Sequence, residues 1–189
     1  YHGELKLLFV GRATPVKGIP LIFEAVKNLV DEYGISCYIT LVGTGNNEYT
    51  RSLQHTMQQS CLKDRVTFLE WMDKDKLEPI YLDHHIFIHP HLKPTSFPNS
   101  LLEAMKFGLP VITTSLGGPA EFIKHKKTGF LIEPGDIKAI SKTIYLLATQ
   151  PGLPEHISSN AYKYLEDNLD FINQSEKYEK VIRDMVRDS

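Results

Sequence analysis

Leu5-Lys6-Leu7-Leu8-Phe9-Val10 runs directly into Gly11-Arg12-Ala13-Thr14-Pro15-Val16-Lys17-Gly18, and an amphipathic stretch then continues to about residue 33. The apolar part is continuous from Leu7 to Val10 rather than alternating, which is the pattern of a strand buried on both faces. Burial on both faces implies a parallel sheet with helices on either side. The rest of the chain repeats the motif. Strands are expected over 5–10, 37–42, 66–71, 85–89, 110–114 and 129–132, with helical segments near 18–33, 46–60, 99–107, 119–125 and 136–149. Only the crossover near 73–82 is short. The expectation is an α/β fold: a doubly wound, mostly parallel, six-stranded Rossmann-like sheet.

From residue 152 the pattern is helical only, with segments near 154–167 and 171–187 that could cover a sheet edge or reach towards another domain. Residues 1–189 therefore read as one domain, with a core over 1–150 and C-terminal helices over 151–189. The chain starts at Tyr1 without an initiating Met and is expected to be a fragment.

With 189 residues, 42% apolar and 23% charged, the chain is long enough and apolar enough to build its own core. A net charge of −2 argues against nucleic acid as a partner, because such binding runs on a large basic excess. It leaves room for a small anion held by a few clustered cations. Cys37 and Cys61 share no metal-ligand spacing and read as reduced thiols, which with the absence of a signal peptide suggests the cytoplasm.

Doubly wound sheets bind ligands at the carboxyl ends of their strands, where helix N-termini favour phosphates. After the first strand, Arg12 and Lys17 flank a turn. A planar guanidinium and a point charge together suit a diphosphate, whereas the bland alternative is a solvated loop. Gly43-Thr44-Gly45-Asn46 follows the second strand, a short glycine turn that an ordinary strand-to-helix connection would also need. The densest stretch is His89-Pro90-His91-Leu92-Lys93-Pro94-Thr95-Ser96-Phe97-Pro98-Asn99-Ser100-Leu101-Leu102-Glu103. Pro98 suits a helix start that would leave the amides of Asn99, Ser100 and Leu101 free to meet an anion. Glu103, one turn on, either complements the helix dipole or accepts hydrogen bonds from a ribose diol. Gly117-Gly118 reads as a simple turn.

Two other patterns invite a metal. Asp73-Lys74-Asp75 is a D-x-D, but it precedes a short helix for which Asp is a common N-cap. His84, His85, His89 and His91 lie along one extended strand and cannot all converge on one ion, so core packing, or a place for His91 at a pocket rim, is the better reading. No metal and no cofactor are expected.

The ordered blocks G-R-x(4)-K-G, V-G-x-G, F-P-N-x-L-L-E-A-M-x-x-G-x-P-V-I-T-T and G-G-x-x-E-x-I resemble glycosyltransferase family four, from Leu5 to about Leu147. The segment beginning Phe171-Ile172-Asn173 resembles that family's final helix. The resemblance implies the nucleotide-sugar-binding, C-terminal half of a retaining, metal-independent enzyme of the two-domain GT-B architecture. Such an enzyme moves a sugar from a uridine or guanosine diphosphate donor to a carbohydrate or lipid-linked acceptor held by an N-terminal domain, in polysaccharide or glycolipid assembly. Peripheral contact with the inner face of a membrane would belong to the longer protein. The implied site comprises Gly11, Arg12, Lys17, Gly43, Met72, Thr95, Phe97, Pro98, Asn99, Ser100, Leu101 and Glu103, with Arg12, Lys17 and Glu103 as its catalytic group. Arg12 and Lys17 would grip the diphosphate, Glu103 the ribose, amides near Ser100 and Leu101 a phosphate, and Trp71-Met72 the base. The family carries two glutamates with seven residues between them, and counting back from Glu103 reaches Thr95 instead of Glu. That departure bears on sugar choice and turnover. The alternatives are another GT-B enzyme, such as an epimerase or a phosphorylase, and a non-catalytic nucleotide-sugar-binding module.

Overall fold

A computed structural model describes residues 4–45 and 47–169. Its elements in chain order are β1 (Leu5–Val10), α1 (Ile19–Tyr33), β2 (Cys37–Val42), α2 (Glu48–Gln58), β3 (Val66–Leu69), α3 (Lys74–Leu82), β4 (Ile86–His89), α4 (Asn99–Lys106), β5 (Val111–Thr114), α5 (Gly118–Phe122), β6 (Phe130–Ile132), α6 (Ile137–Thr149) and α7 (Leu153–Leu169). The six strands form one sheet in the order β3-β2-β1-β4-β5-β6, and every neighbouring pair is parallel.

β1 shows why its apolar run is continuous. Leu5, Leu7 and Phe9 point to one face, where α1 contributes Ile22, Val26 and Leu29 and α6 contributes Ile140, Ile144 and Leu147. Leu8 and Val10 point to the other, among Leu77 and Tyr81 of α3, Leu101, Ala104 and Met105 of α4, and Ala161 of α7. Full burial of each such side chain contributes roughly 1.5–3 kcal/mol, so neither face of the central strands can be left to solvent. α7 thus lies over a face of the sheet, packed on α4, rather than along an edge. The helix expected over 171–187 falls outside the described residues.

β3 ends two residues earlier than expected. The Leu69 carbonyl accepts from the amides of Gly43 and Thr44 at 3.1 and 3.2 Å and from Thr44 Oγ1 at 2.9 Å. Beyond it the chain leaves the sheet, and Trp71, which suggests a strand by its apolar character, is 68% exposed. The short crossover forms α3. The strand order reverses direction between β1 and β4, so the crevice for a ligand opens between their carboxyl ends.

Candidate active site

Val10 gives way to Gly11, whose amide donates to the Val42 carbonyl at 2.9 Å and so ties the exits of β1 and β2 together. A single 3₁₀ turn, Pro15–Lys17, follows. It is held from across the crevice, because the Leu92 amide donates to the Val16 carbonyl at 2.8 Å. The turn brings Lys17 back over the end of the sheet, half-buried, with Arg12 exposed nearby. Burial first, and the Arg12 charge second, hold the Lys17 ammonium below the ordinary lysine value. Among the described residues neither cation is ion-paired with a carboxylate.

The other wall is the first turn of α4. Pro98 occupies the cap position in an extended conformation and Asn99 is the first helical residue. The amides of Asn99 and Ser100 therefore have no acceptor within the helix. The third amide expected to be free is not: Leu101 N donates to the Pro98 carbonyl at 3.0 Å, because the helix opens with a tight turn, and the Leu101 side chain is wholly buried. One turn on, Glu103 Oε2 accepts from Tyr81 Oη at 3.0 Å, and the same hydroxyl lies 3.3 Å from the Ser100 carbonyl. Tyr81 has no exposure, and burial, reinforced by the Glu103 charge, raises its phenol above the ordinary value. It fixes the carboxylate through one oxygen and leaves the other uncommitted. Nothing in the sequence marks Tyr81, which sits on α3.

Gly11, Arg12, Lys17, Met72, Asn99, Ser100 and Glu103 line one cleft of about 510 Å³, together with Val10, Trp71, Asp73, Lys74 and Leu77. Gly43 lies beside it. It lines a neighbouring cleft of about 460 Å³ with Arg12, Thr14, Asn47 and Trp71, and a Cβ on it would stand 2.9 Å from the Gly11 carbonyl oxygen. Asn46, at the same turn, falls outside the described residues.

Thr95 and Phe97 belong to the loop before α4. The Phe97 ring turns away from the main cleft onto Phe122, centroids 4.7 Å apart, and lines a third cleft of about 500 Å³ with Ser96 and Glu121. Its expected place in the nucleotide site is thus not where the ring goes, since aromatic packing onto α5 takes it. Gly117-Gly118 is more than a turn. The Gly118 amide donates to the Thr95 carbonyl at 2.9 Å, and a Cβ on Gly117 would stand 2.4 Å from that same oxygen. Gly117 also has φ 59° and ψ −145°, a region that only glycine adopts without strain. The two glycines let the β5–α5 loop press backbone to backbone on the loop that carries Thr95.

His91 fastens the same loops. It is 1% exposed, buried rather than at a rim. Its Nε2 lies 3.1 Å from the Leu116 carbonyl and its Nδ1 2.8 Å from Thr114 Oγ1. His84 bridges Ile80 O and Thr40 Oγ1, and His85 Nδ1 accepts from the Lys6 amide. Among the described residues no three His, Cys, Asp or Glu side chains are grouped to hold a metal ion. Asp73 occupies the cap position of α3. No described helix is long and apolar enough to cross a membrane.

A cleft with two unpaired cations at one end, free helix amides on a wall and an oriented carboxylate a turn away can hold a ligand that is polyanionic in one part and polyhydroxylic in another. The family model described as Glycosyl transferases group 1 matches residues 1–164. The capsular polysaccharide biosynthesis glycosyltransferase CapM of Staphylococcus aureus is 27% identical over 161 residues, 85% of this chain and 41% of that protein. The chain spans about two fifths of the length of the first curated relatives it matches. Among solved structures, the C-terminal domain of a group 1 family glycosyl transferase from Francisella tularensis superposes with TM-score 0.77 at 22% identity, over 89% of this chain and 88% of that one. The Anabaena protein HepE in complex with UDP-glucose superposes with TM-score 0.80 at 21% identity, over 96% of this chain and 49% of that one.

Proposed function

The chain belongs to the group 1 glycosyl transferases, with the fold of a GT-B C-terminal domain, and on that footing we propose that its main cleft binds the nucleotide diphosphate sugar donor of a retaining sugar transfer. The observation that carries the reading is the convergence of Arg12 and Lys17, from the turn after β1, with the first turn of α4 and Glu103 on one cleft of about 510 Å³. Arg12 and Lys17 hold the diphosphate and stabilise the charge that builds on it as the bond to the anomeric carbon breaks. The amides of Asn99 and Ser100 meet a phosphate, and Glu103, steadied by Tyr81, accepts from the ribose hydroxyls. The base lies towards Met72 and Leu77. The two cations do the neutralising work that other transferases give to a metal. The acceptor, a carbohydrate or lipid-linked hydroxyl, approaches from an N-terminal domain in the longer protein, which works in the cytoplasm or at the inner face of a membrane. The capsular polysaccharide relative favours a role in polysaccharide assembly.

A second reading, a binding module without turnover, rests on Thr95 at the position where the family carries its first glutamate. The first reading is tested by titrating UDP and GDP into the 189-residue chain, by calorimetry and by the emission of Trp71, its single tryptophan, which lines the cleft. Saturable binding of one of them, tighter than its monophosphate and indifferent to magnesium, is the expected result. Absence of heat and of any emission change at millimolar ligand refutes it.

A further inference from the structure

β4 is Ile86-Phe87-Ile88-His89, buried at every position, and its last residue is the one that is not a hydrocarbon. His89 is 1% exposed and stacks on Phe9 with ring centroids 5.7 Å apart and planes 3° from parallel. Its Nδ1 is buried without a hydrogen-bond partner. An orphaned polar atom in a core is destabilising, and an apolar side chain would avoid it, so the imidazole needs a reason to be there. The reason lies at the other nitrogen. His89 Nε2 is 3.4 Å from Lys17 Nζ. An ammonium can only donate, so Nε2 must present its lone pair and the ring proton must sit on Nδ1. Burial, then the Lys17 charge, hold the imidazole neutral, with a pKa of about 3.

We propose that His89 is a positioning residue for diphosphate binding: by accepting from Lys17 Nζ it aims the ammonium into the cleft without neutralising it. A carboxylate in that place would form an ion pair that competes with phosphate, whereas a neutral acceptor takes one N–H and leaves two, and the full charge, for the ligand. This rests on the reading of Lys17 as a diphosphate-binding residue.

The test compares His89→Gln with His89→Asn. Gln can bring an amide oxygen to the place of Nε2, whereas Asn reaches only the place of Nδ1; both leave a buried amide, so general damage is matched. UDP and GDP affinities are measured beside those of uridine and guanosine, with each change also made in a Lys17→Ala background. If the wild-type chain binds neither diphosphate, the site reading itself has failed. Given binding, His89→Asn should weaken the diphosphate about three- to tenfold, the factor expected for one neutral hydrogen bond, leave the nucleoside unaffected, and have no effect once Lys17 is Ala. His89→Gln should retain near wild-type affinity. Should His89→Asn not fold, His89→Leu replaces it with the same expectation. Equal losses for Gln and Asn, or a loss that persists in the Lys17→Ala background, would overturn the proposal.

Discussion

Gly117→Ala tests whether the β5–α5 loop is built against the loop carrying Thr95. Two penalties act on the new methyl group. The backbone at φ 59° and ψ −145° is strained for any L residue, by about 1–3 kcal/mol. The Cβ would also lie 2.4 Å from the Thr95 carbonyl oxygen and 2.8 Å from its amide nitrogen, and these are backbone atoms that cannot rotate away. Forced overpacking of this kind adds roughly 1–3 kcal/mol. Gly135→Ala is the uncrowded reference, because Gly135 also has positive φ, 83°, but nothing within 4 Å of where its Cβ would stand. At ~2–4 °C per kcal/mol for a chain of this size, Gly117→Ala should melt ~2–12 °C below Gly135→Ala in differential scanning calorimetry without ligand. Binding of the bare diphosphate should change less than the ranking of donor sugars, since Arg12 and Lys17 stand on a different loop. Equal melting temperatures for the two variants would refute the packing argument. A loss of diphosphate affinity as large as that of Lys17→Ala would refute the division of labour between the loops.

Lys17→Ala should weaken UDP or GDP binding by ~10- to 100-fold, the range of a charge-assisted hydrogen bond, with nucleoside binding unchanged; calorimetry reads both, and equal losses would assign Lys17 to the fold. Because burial and Arg12 hold the wild-type ammonium below 10.5, diphosphate affinity should fall with rising pH before that value, and this alkaline limb should vanish in Lys17→Ala. Glu103→Gln should weaken nucleotide binding with no change in ligand-free melting temperature, and Tyr81→Phe, which frees Oε2, should weaken it several-fold in wild type but not in Glu103→Gln. A 2′,3′-dideoxy ligand that remains as sensitive to Glu103→Gln as the ribose form would contradict the ribose assignment. Thr95→Val, in the longer protein, should change the ranking of donor sugars by several-fold at most while leaving the free diphosphate alone, and an unchanged ranking removes Thr95 from the site.

What the sequence could disclose divides along a physical line. Arg12, Lys17, Asn99, Ser100 and Glu103 were legible because they follow strand ends, and a doubly wound sheet gathers strand ends at one edge whatever its details. Strands 5–10 and 37–42 were legible to the residue because each is rich in buried apolar side chains and stops at a glycine, Gly11 and Gly43. Trp71 and Phe97 misled for one reason: an aromatic side chain advertises burial, but neither its direction nor its partner. The Leu101 amide misled because tight opening of a helix is decided by local geometry that composition does not encode. Tyr81, His89 and the glycine pair were illegible as parts of the site because their meaning depends on which strands become neighbours. Lys17 and His89 are 72 residues apart in the chain. Once β1 is known to pair with β4, with Leu7 opposite Ile86 and Leu8 opposite Phe87, the register runs on to set the end of β4 beside the end of β1. A polar residue closing β4 then lies beside the turn that leaves β1, and that turn brings the Lys17 ammonium to 3.4 Å from the His89 ring. Strand order, read before side chains, is therefore what converts an anomalous buried histidine into a residue with a testable task.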